Sequence, residues 1–209
     1  MLGQFVDWLQ ISLSLFDRST TRIIWNLFLA FIPLIFSLYL FRPQAVRNLF
    51  WWVSLFIFSV FLPNAPYVLT DSIHIIELSR QNYPAWAIII IVVPQYALFI
   101  LLGFEAYIVS LSRIEQYLNS SANPQYSIAI KAIAHGLSVV GIYIGRFERF
   151  NSWDLLTKPG TVIITTTEDL LDLEKLLCMA IAFVTIWLLS ELVERVNRKI
   201  YVRTKTIYS

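Results

Sequence analysis

Two short stretches hold most of the side chains that can do chemistry in this sequence. The first runs Leu62-Pro63-Asn64-Ala65-Pro66-Tyr67-Val68-Leu69-Thr70-Asp71-Ser72-Ile73-His74. On a helix, Asp71 and His74 stand at i and i+3 and share a face. A carboxylate and an imidazole at that spacing can bind a divalent metal or form an acid–base pair. The same residues also make sense without a ligand. Thr70 or Asp71 would cap a short helix running to about Leu78, with His74 at the membrane surface. Pro63 and Pro66 are expected to stop a helix and free backbone carbonyls, which Asn64 and Thr70 are suited to satisfy.

The second stretch runs Gly145-Arg146-Phe147-Glu148-Arg149-Phe150-Asn151-Ser152-Trp153-Asp154. Arg146 and Arg149 can grip a phosphate or a carboxylate. Asn151 and Asp154 have the spacing of a helix cap and its reciprocal partner. Asp154 is also a third candidate metal ligand beside Asp71 and His74. A basic loop edge, a cap and an aromatic anchor at Trp153 would explain this stretch without a ligand. If the two stretches meet, Asn64, Asp71, His74, Arg146, Arg149, Asn151 and Asp154 line one polar cavity, with Thr70 beside them. Convergent polar groups in an apolar wall are what a small-molecule site looks like. A third set, Glu105, Lys131 and His135, falls inside apolar runs, where ionisable groups are costly and usually paired. Glu105 with Lys131 is the expected pair, and an ion or proton path the alternative reading.

The elements that must position these groups are membrane helices. Hydrophobic residues are 57% and charged residues 14% of the chain, against about 45–50% and about 25% in soluble domains. Mean hydropathy is +0.66. One small core cannot hide that excess, and lipid is the solvent that suits it. Stretches near 23–41, 48–62, 85–109, 128–144 and 170–193 are apolar and approach the roughly 20 residues a spanning helix needs. Met1 to Phe16 places Phe5, Trp8, Leu9, Ser12, Leu15 and Phe16 on one face, which reads as an interfacial helix or, alternatively, a sixth span. The expected architecture is therefore an all-α polytopic transmembrane bundle forming one domain over residues 1–209. Between the fourth and fifth spans, Thr161 to Thr167 is rich in β-branched residues and reads as extended. Thr167-Glu168-Asp169 reads as a helix start. Gly136, Ser138 and Gly141 give the fourth span a small-residue face suited to close packing. The single cysteine, Cys178, reads as a packing residue.

The basic tail (Arg195, Arg198, Lys199, Arg203, Lys205) predicts a cytoplasmic C-terminus, although Arg18 and Arg22 pull the other way. The two polar stretches are separated by two spans and so face the same side. A net charge of +2 gives no reason to expect a nucleic-acid partner. No phosphate-binding Gly-rich loop, zincin helix or metal-type cysteine pair is present, and the sequence leaves the cofactor unknown.

LPNAPYVLTDSIH (62–74), GIYIGRFERFNSWDLL (141–156) and Trp25-Asn26-Leu27 resemble the bacterial membrane proteins grouped as domain of unknown function 1361. The resemblance runs from the first span to the fifth. It implies a polytopic protein of the bacterial plasma membrane and carries over no catalytic residue. Three functional classes follow from the residues. The chain binds a small ligand or ion in its polar cavity, and would need to form a homo-oligomer for transport. Or it is a membrane-embedded enzyme using Asp71, His74 and Asp154 on a lipid or headgroup-linked substrate. Or it is an accessory subunit holding partners in a membrane complex.

Overall fold

The computed structural model describes residues 2–121 and 125–207. All regular structure among them is helical. The long elements are α1 (Leu2–Leu40), α2 (Leu49–Phe61), α6 (Val93–Ser121), α7 (Gln125–Arg146) and α10 (Leu173–Ile207). Short ones join them: α3 (Asn64–Tyr67), a 3-10 turn (Val68–Ser72), α4 (Ile73–Ser79), α5 (Ala85–Ala87), a π segment (Ile88–Val92), α8 (Asp154–Thr157) and α9 (Pro159–Leu171). Five helical stretches are long and apolar enough to cross a bilayer: Trp8–Leu40, Leu49–Ser79, Ala85–Asn119, Tyr126–Arg146 and Leu173–Tyr201.

The outer surface of the bundle is apolar. Leu13, Leu101, Ile181 and Leu188 are each more than 60% exposed. Where helices meet, the interior uses small residues. Ser37, Ser110, Ser138 and Ser190 are fully buried and Ser54 nearly so. Set among buried Tyr96, Phe99, Tyr107 and Ile108, these small residues let the helices approach closely.

The N-terminal segment is not a separate helix. α1 runs unbroken through it and pairs antiparallel with the α5–α6 stretch along its length. Trp8 stacks on Trp86 at one end of the pair (5.6 Å), and Phe41 meets Tyr117 at the other (5.8 Å). Between them Gln95 accepts from Ser19 at 2.6 Å and donates to Thr20 at 3.1 Å. A partner of equal length gives the N-terminal half a protein face to pack on, which a single-sequence pattern cannot reveal.

The two prolines do not end the second span. Leu62, Pro63, Tyr67, Val68, Ser72 and Ile73 all keep right-handed helical angles. The chain tightens into a 3-10 turn instead of breaking, so no new helix start forms at Thr70 or Asp71. Thr70 Oγ1 donates back to the Tyr67 carbonyl (2.8 Å), and Asp71 is left to face across the bundle. Two glycines make room for this tightened segment. A Cβ on Gly103 would lie 2.7 Å from Val68 Cγ1, and one on Gly141 would lie 2.6 Å from the Pro63 ring. Gly136, expected on the same packing face, has open space before it.

Residues Thr161 to Thr167 are helical, inside α9, rather than extended. Pro159 occupies the first turn, where its missing N–H costs nothing, and Thr167 Oγ1 donates to the Ile163 carbonyl at 2.8 Å. Thr167, Glu168 and Asp169 therefore lie near the end of α9. The start of α10 is capped by Asp172, which accepts from the N–H groups of Glu174 (2.9 Å) and Lys175 (3.3 Å). Cys178 is exposed on the outer face of α10, not packed inside.

Candidate functional site

Asp71 is the centre of the site. It is 1% exposed, and a carboxylate so buried needs partners. Asn26, one third of the way from the end of α1, donates to Asp71 Oδ2 at 2.6 Å. Arg146, the last residue of α7, puts Nη1 3.7 Å from Asp71 Oδ1. His74 puts Nε2 3.7 Å from that same oxygen. Three segments far apart in sequence thus meet at one carboxylate.

Each partner is itself held. The Thr70 carbonyl accepts from the Ile73 N–H within the 3-10 turn and takes the Arg146 guanidinium as a second donor. Tyr67 lies under the same guanidinium, with its ring centroid 5.7 Å from Cζ. Glu77, one turn after His74, takes His74 Nδ1 at 2.6 Å, and this leaves Nε2 turned toward Asp71. Asn64 donates to Ser152 Oγ at 2.8 Å and to the Phe61 carbonyl at 3.1 Å. The second contact serves a carbonyl whose usual donor, the Ala65 N–H, bonds Leu62 instead (3.2 Å), and the first joins the two polar stretches directly.

These groups form one end of a cavity of about 690 Å³. Asn64, Asp71, His74, Arg146 and Asn151 are on its wall, together with Arg22 and Asn26 from α1. The rest of the wall is mostly apolar: Trp25, Leu29, Phe56, Val60, Leu137 and Val140, with Val162 and Ile163 of α9 across the opening. Thr70 enters only through its carbonyl.

Arg149 and Asp154 are not on the wall. Arg149 is exposed and adopts φ 59°. That left-handed residue turns the chain at the end of α7, so that the Phe150 N–H returns to the Ile144 carbonyl at 3.3 Å. Asp154 accepts from the Asn151 N–H at 2.7 Å, one half of a capping box. Among the described residues no three His, Cys, Asp or Glu side chains gather as a metal would require. Asp71 and His74 adjoin, and Asp154 serves the loop.

The third set lies apart from the cavity. Lys131 pairs with Glu194 at 2.7 Å and Glu191 at 3.3 Å on α10, not with Glu105. Glu105 accepts from Asn197 at 2.6 Å. His135 is fully buried, with Nδ1 2.8 Å from the Tyr107 hydroxyl and its ring between Phe183 and Trp187. Both α10 carboxylates reach the ammonium, so Lys131 ties α7 to α10.

Sequence reasoning did not assign Arg22, Asn26, Glu77 or Ser152 to the site. Asn26 had a signal, since it is a lone amide in the apolar run 23–41. Arg22 stands one turn before it on the same face. Glu77 is legible only once His74 is known to be helical, and Ser152 has no distinguishing feature.

Comparison with curated proteins and with solved structures finds no match. A family model described as "Protein of unknown function (DUF1361)" matches residues 25–189, a stretch that holds all the cavity wall except Arg22. On that match the chain belongs to the DUF1361 family.

Proposed function

We propose that this chain is an integral protein of a bacterial plasma membrane that binds a small ligand in the cavity around Asp71, near one membrane face. The observation that carries the reading is the convergence of Arg22, Asn26, Asp71, His74 and Arg146 on a space of about 690 Å³ whose remaining wall is mostly apolar. Ligand sites commonly enclose about 300–1,000 Å³ and pair apolar walls with a few placed polar groups. A purely structural cluster gains nothing from leaving such a space beside it.

Charge supports an orientation. Arg42 and Arg47 follow α1 at the end where Phe41 meets Tyr117. α10 runs antiparallel to α7 and carries Arg195, Arg198 and Lys199 toward that same end. By the positive-inside bias this end is cytoplasmic and the cavity faces the other way.

The test is ligand-dependent stabilisation in detergent. A panel of lipids and small polar metabolites is screened by thermal unfolding of wild type, Arg22→Gln and His74→Gln. A ligand at about 100 times its Kd adds about 2.7 kcal/mol. The reading predicts a compound that raises the melting temperature of wild type and not of either variant. If every compound that stabilises wild type stabilises both variants equally, the cavity is not a site.

A second reading rests on the Glu77–His74 contact. A carboxylate on Nδ1 fixes the imidazole and leaves Nε2 to take a proton, which is the arrangement of a general base. In this reading the chain is an enzyme acting on a headgroup-linked substrate. Turnover of such a substrate that is lost in His74→Gln and reduced in Glu77→Gln would favour it over simple binding.

A further inference from the structure

We infer that the cavity receives its ligand sideways from the bilayer, and that the ligand is an amphiphile with a phosphate-bearing, hydroxylated head. The inference rests on the cavity reading above and deepens it. Its first ground is where the apolar wall leads. Trp25, Phe56, Leu137 and Ile163 line the cavity and are also 51%, 52%, 56% and 62% exposed on the outer surface of the bundle. The wall is therefore continuous with the face that meets lipid. α2 packs on α1, α7 packs on α3, α6 and α10, and α9 packs on α8 and α10. A cleft between α2 and α7 is left for α9 to border.

The second ground is the direction of the polarity gradient. Along α7, Leu137 lies about 14 Å deeper than Arg146 at 1.5 Å per residue. Along the second span Phe56 is likewise deeper than Asn64 and Asp71. The charged end sits toward the membrane face and the apolar end toward its middle. A lipid in its leaflet has the same order, whereas a wholly polar solute would leave the deep half of the cavity unmatched.

The third ground is the chemistry of the head end. Arg22 and Arg146 bring two permanent cations, against the single buried carboxylate of Asp71. Guanidinium groups suit phosphate. Arg146 is pinned by Thr70 and Tyr67, so it is preorganised, and Arg22 stands one turn farther out than Asn26 on the same face of α1. Asp71 Oδ1 lies 3.7 Å from both His74 Nε2 and Arg146 Nη1, beyond hydrogen-bond length to either. A ligand hydroxyl donating to that oxygen would fill its remaining capacity. Phosphatidylglycerol carries both features, and phosphatidylcholine has no hydroxyl to give.

Phosphate could also reach these groups from a soluble ester, so the test separates the sources. The purified protein is mixed with dioleoyl phosphatidylglycerol, with dioleoyl phosphatidylcholine, or with glycerol 3-phosphate, and adducts are counted by native mass spectrometry. A phosphatidylglycerol adduct should survive activation that strips phosphatidylcholine. Its retention should fall about tenfold in Arg22→Gln, the weight of one charge-assisted contact. It should also fall in Ser59→Trp and in Leu137→Trp, which fill the cleft from its exposed rim. Either tryptophan variant alone suffices should the other fail to fold. Retained glycerol 3-phosphate without retained lipid would overturn the lateral route and leave the cavity reading standing. Phosphatidylglycerol adducts unchanged in all three variants would be lipids on the outer surface, and would overturn the inference.

Discussion

The polar regions around Lys131 and around Asp71 are built on opposite plans. Around Lys131, two carboxylates of α10 close directly on the ammonium, and His135 is walled in by Tyr107, Phe183 and Trp187. Around Asp71, only Asn26 and Glu77 make short contacts to the ionisable pair, and the remaining groups stand back around a space. The first region is a clasp between α7 and α10. The second holds Arg146 by backbone and ring contacts and keeps it open to a cavity. Charge in a membrane span does not by itself mark function, and what separates the two regions is whether the partners use up one another.

The largest expected effect is at the centre of the open region. Asp71→Ala strands the Asn26 amide and the Arg146 guanidinium, and should cost about 3–5 kcal/mol in thermal unfolding, as breaking a buried charged contact does. Asp71→Asn keeps the shape and should cost less. If the two variants melt alike, the carboxylate charge is not what organises the cavity.

Next comes the clasp. Lys131→Met leaves Glu191 and Glu194 facing each other and should cost about 1–3 kcal/mol. In contrast to the cavity variants, it should leave binding of any cavity ligand unchanged. A loss of binding here would erase the distinction between the regions.

Packing at the tightened segment offers a finer comparison on one helix. Gly141→Ala drives a methyl into the Pro63 ring and should cost about 1–3 kcal/mol. Gly136→Ala points into open space and should be neutral or stabilising by up to about 1 kcal/mol. Equal melting temperatures for the two would mean that Pro63 does not seat on α7. The smallest effect expected is at Arg149. Arg149→Gly relieves a left-handed residue and should stabilise by several tenths of a kcal/mol. A guanidinium with a binding role would instead reveal itself as lost ligand affinity.

Much of this arrangement was legible in the residues. The excess of apolar residues and the length of the apolar runs read as five membrane-crossing helices, and the described residues hold five helices long and apolar enough to cross a membrane. Element boundaries were harder. Pro63-x-x-Pro66 reads as a stop, yet Gly103 and Gly141 let neighbouring helices close on the segment and hold it helical. Thr161 to Thr167 reads as extended by local preference, and packing of α9 on α10 overrides it. The residues of the site were visible as types, since Asn64, Asp71, His74 and Arg146 stand out in apolar surroundings. Their meeting was not, because contact across helices depends on register. The contribution of α1 was the least legible, for Arg22 and Asn26 gain meaning only when α1 is set beside α3 and the 3-10 turn.

The most direct test of the central claim is whether the two polar stretches touch in the membrane. Asn64 Nδ2 and Ser152 Oγ are 2.8 Å apart. In a Cys178→Ser background, Asn64→Cys and Ser152→Cys are introduced together and native membranes are treated with a short bis-methanethiosulfonate reagent. The account predicts a cross-linked pair of peptides joining residues 64 and 152 within one chain. Two thiols that are each modified separately, with no linked peptide, would contradict it.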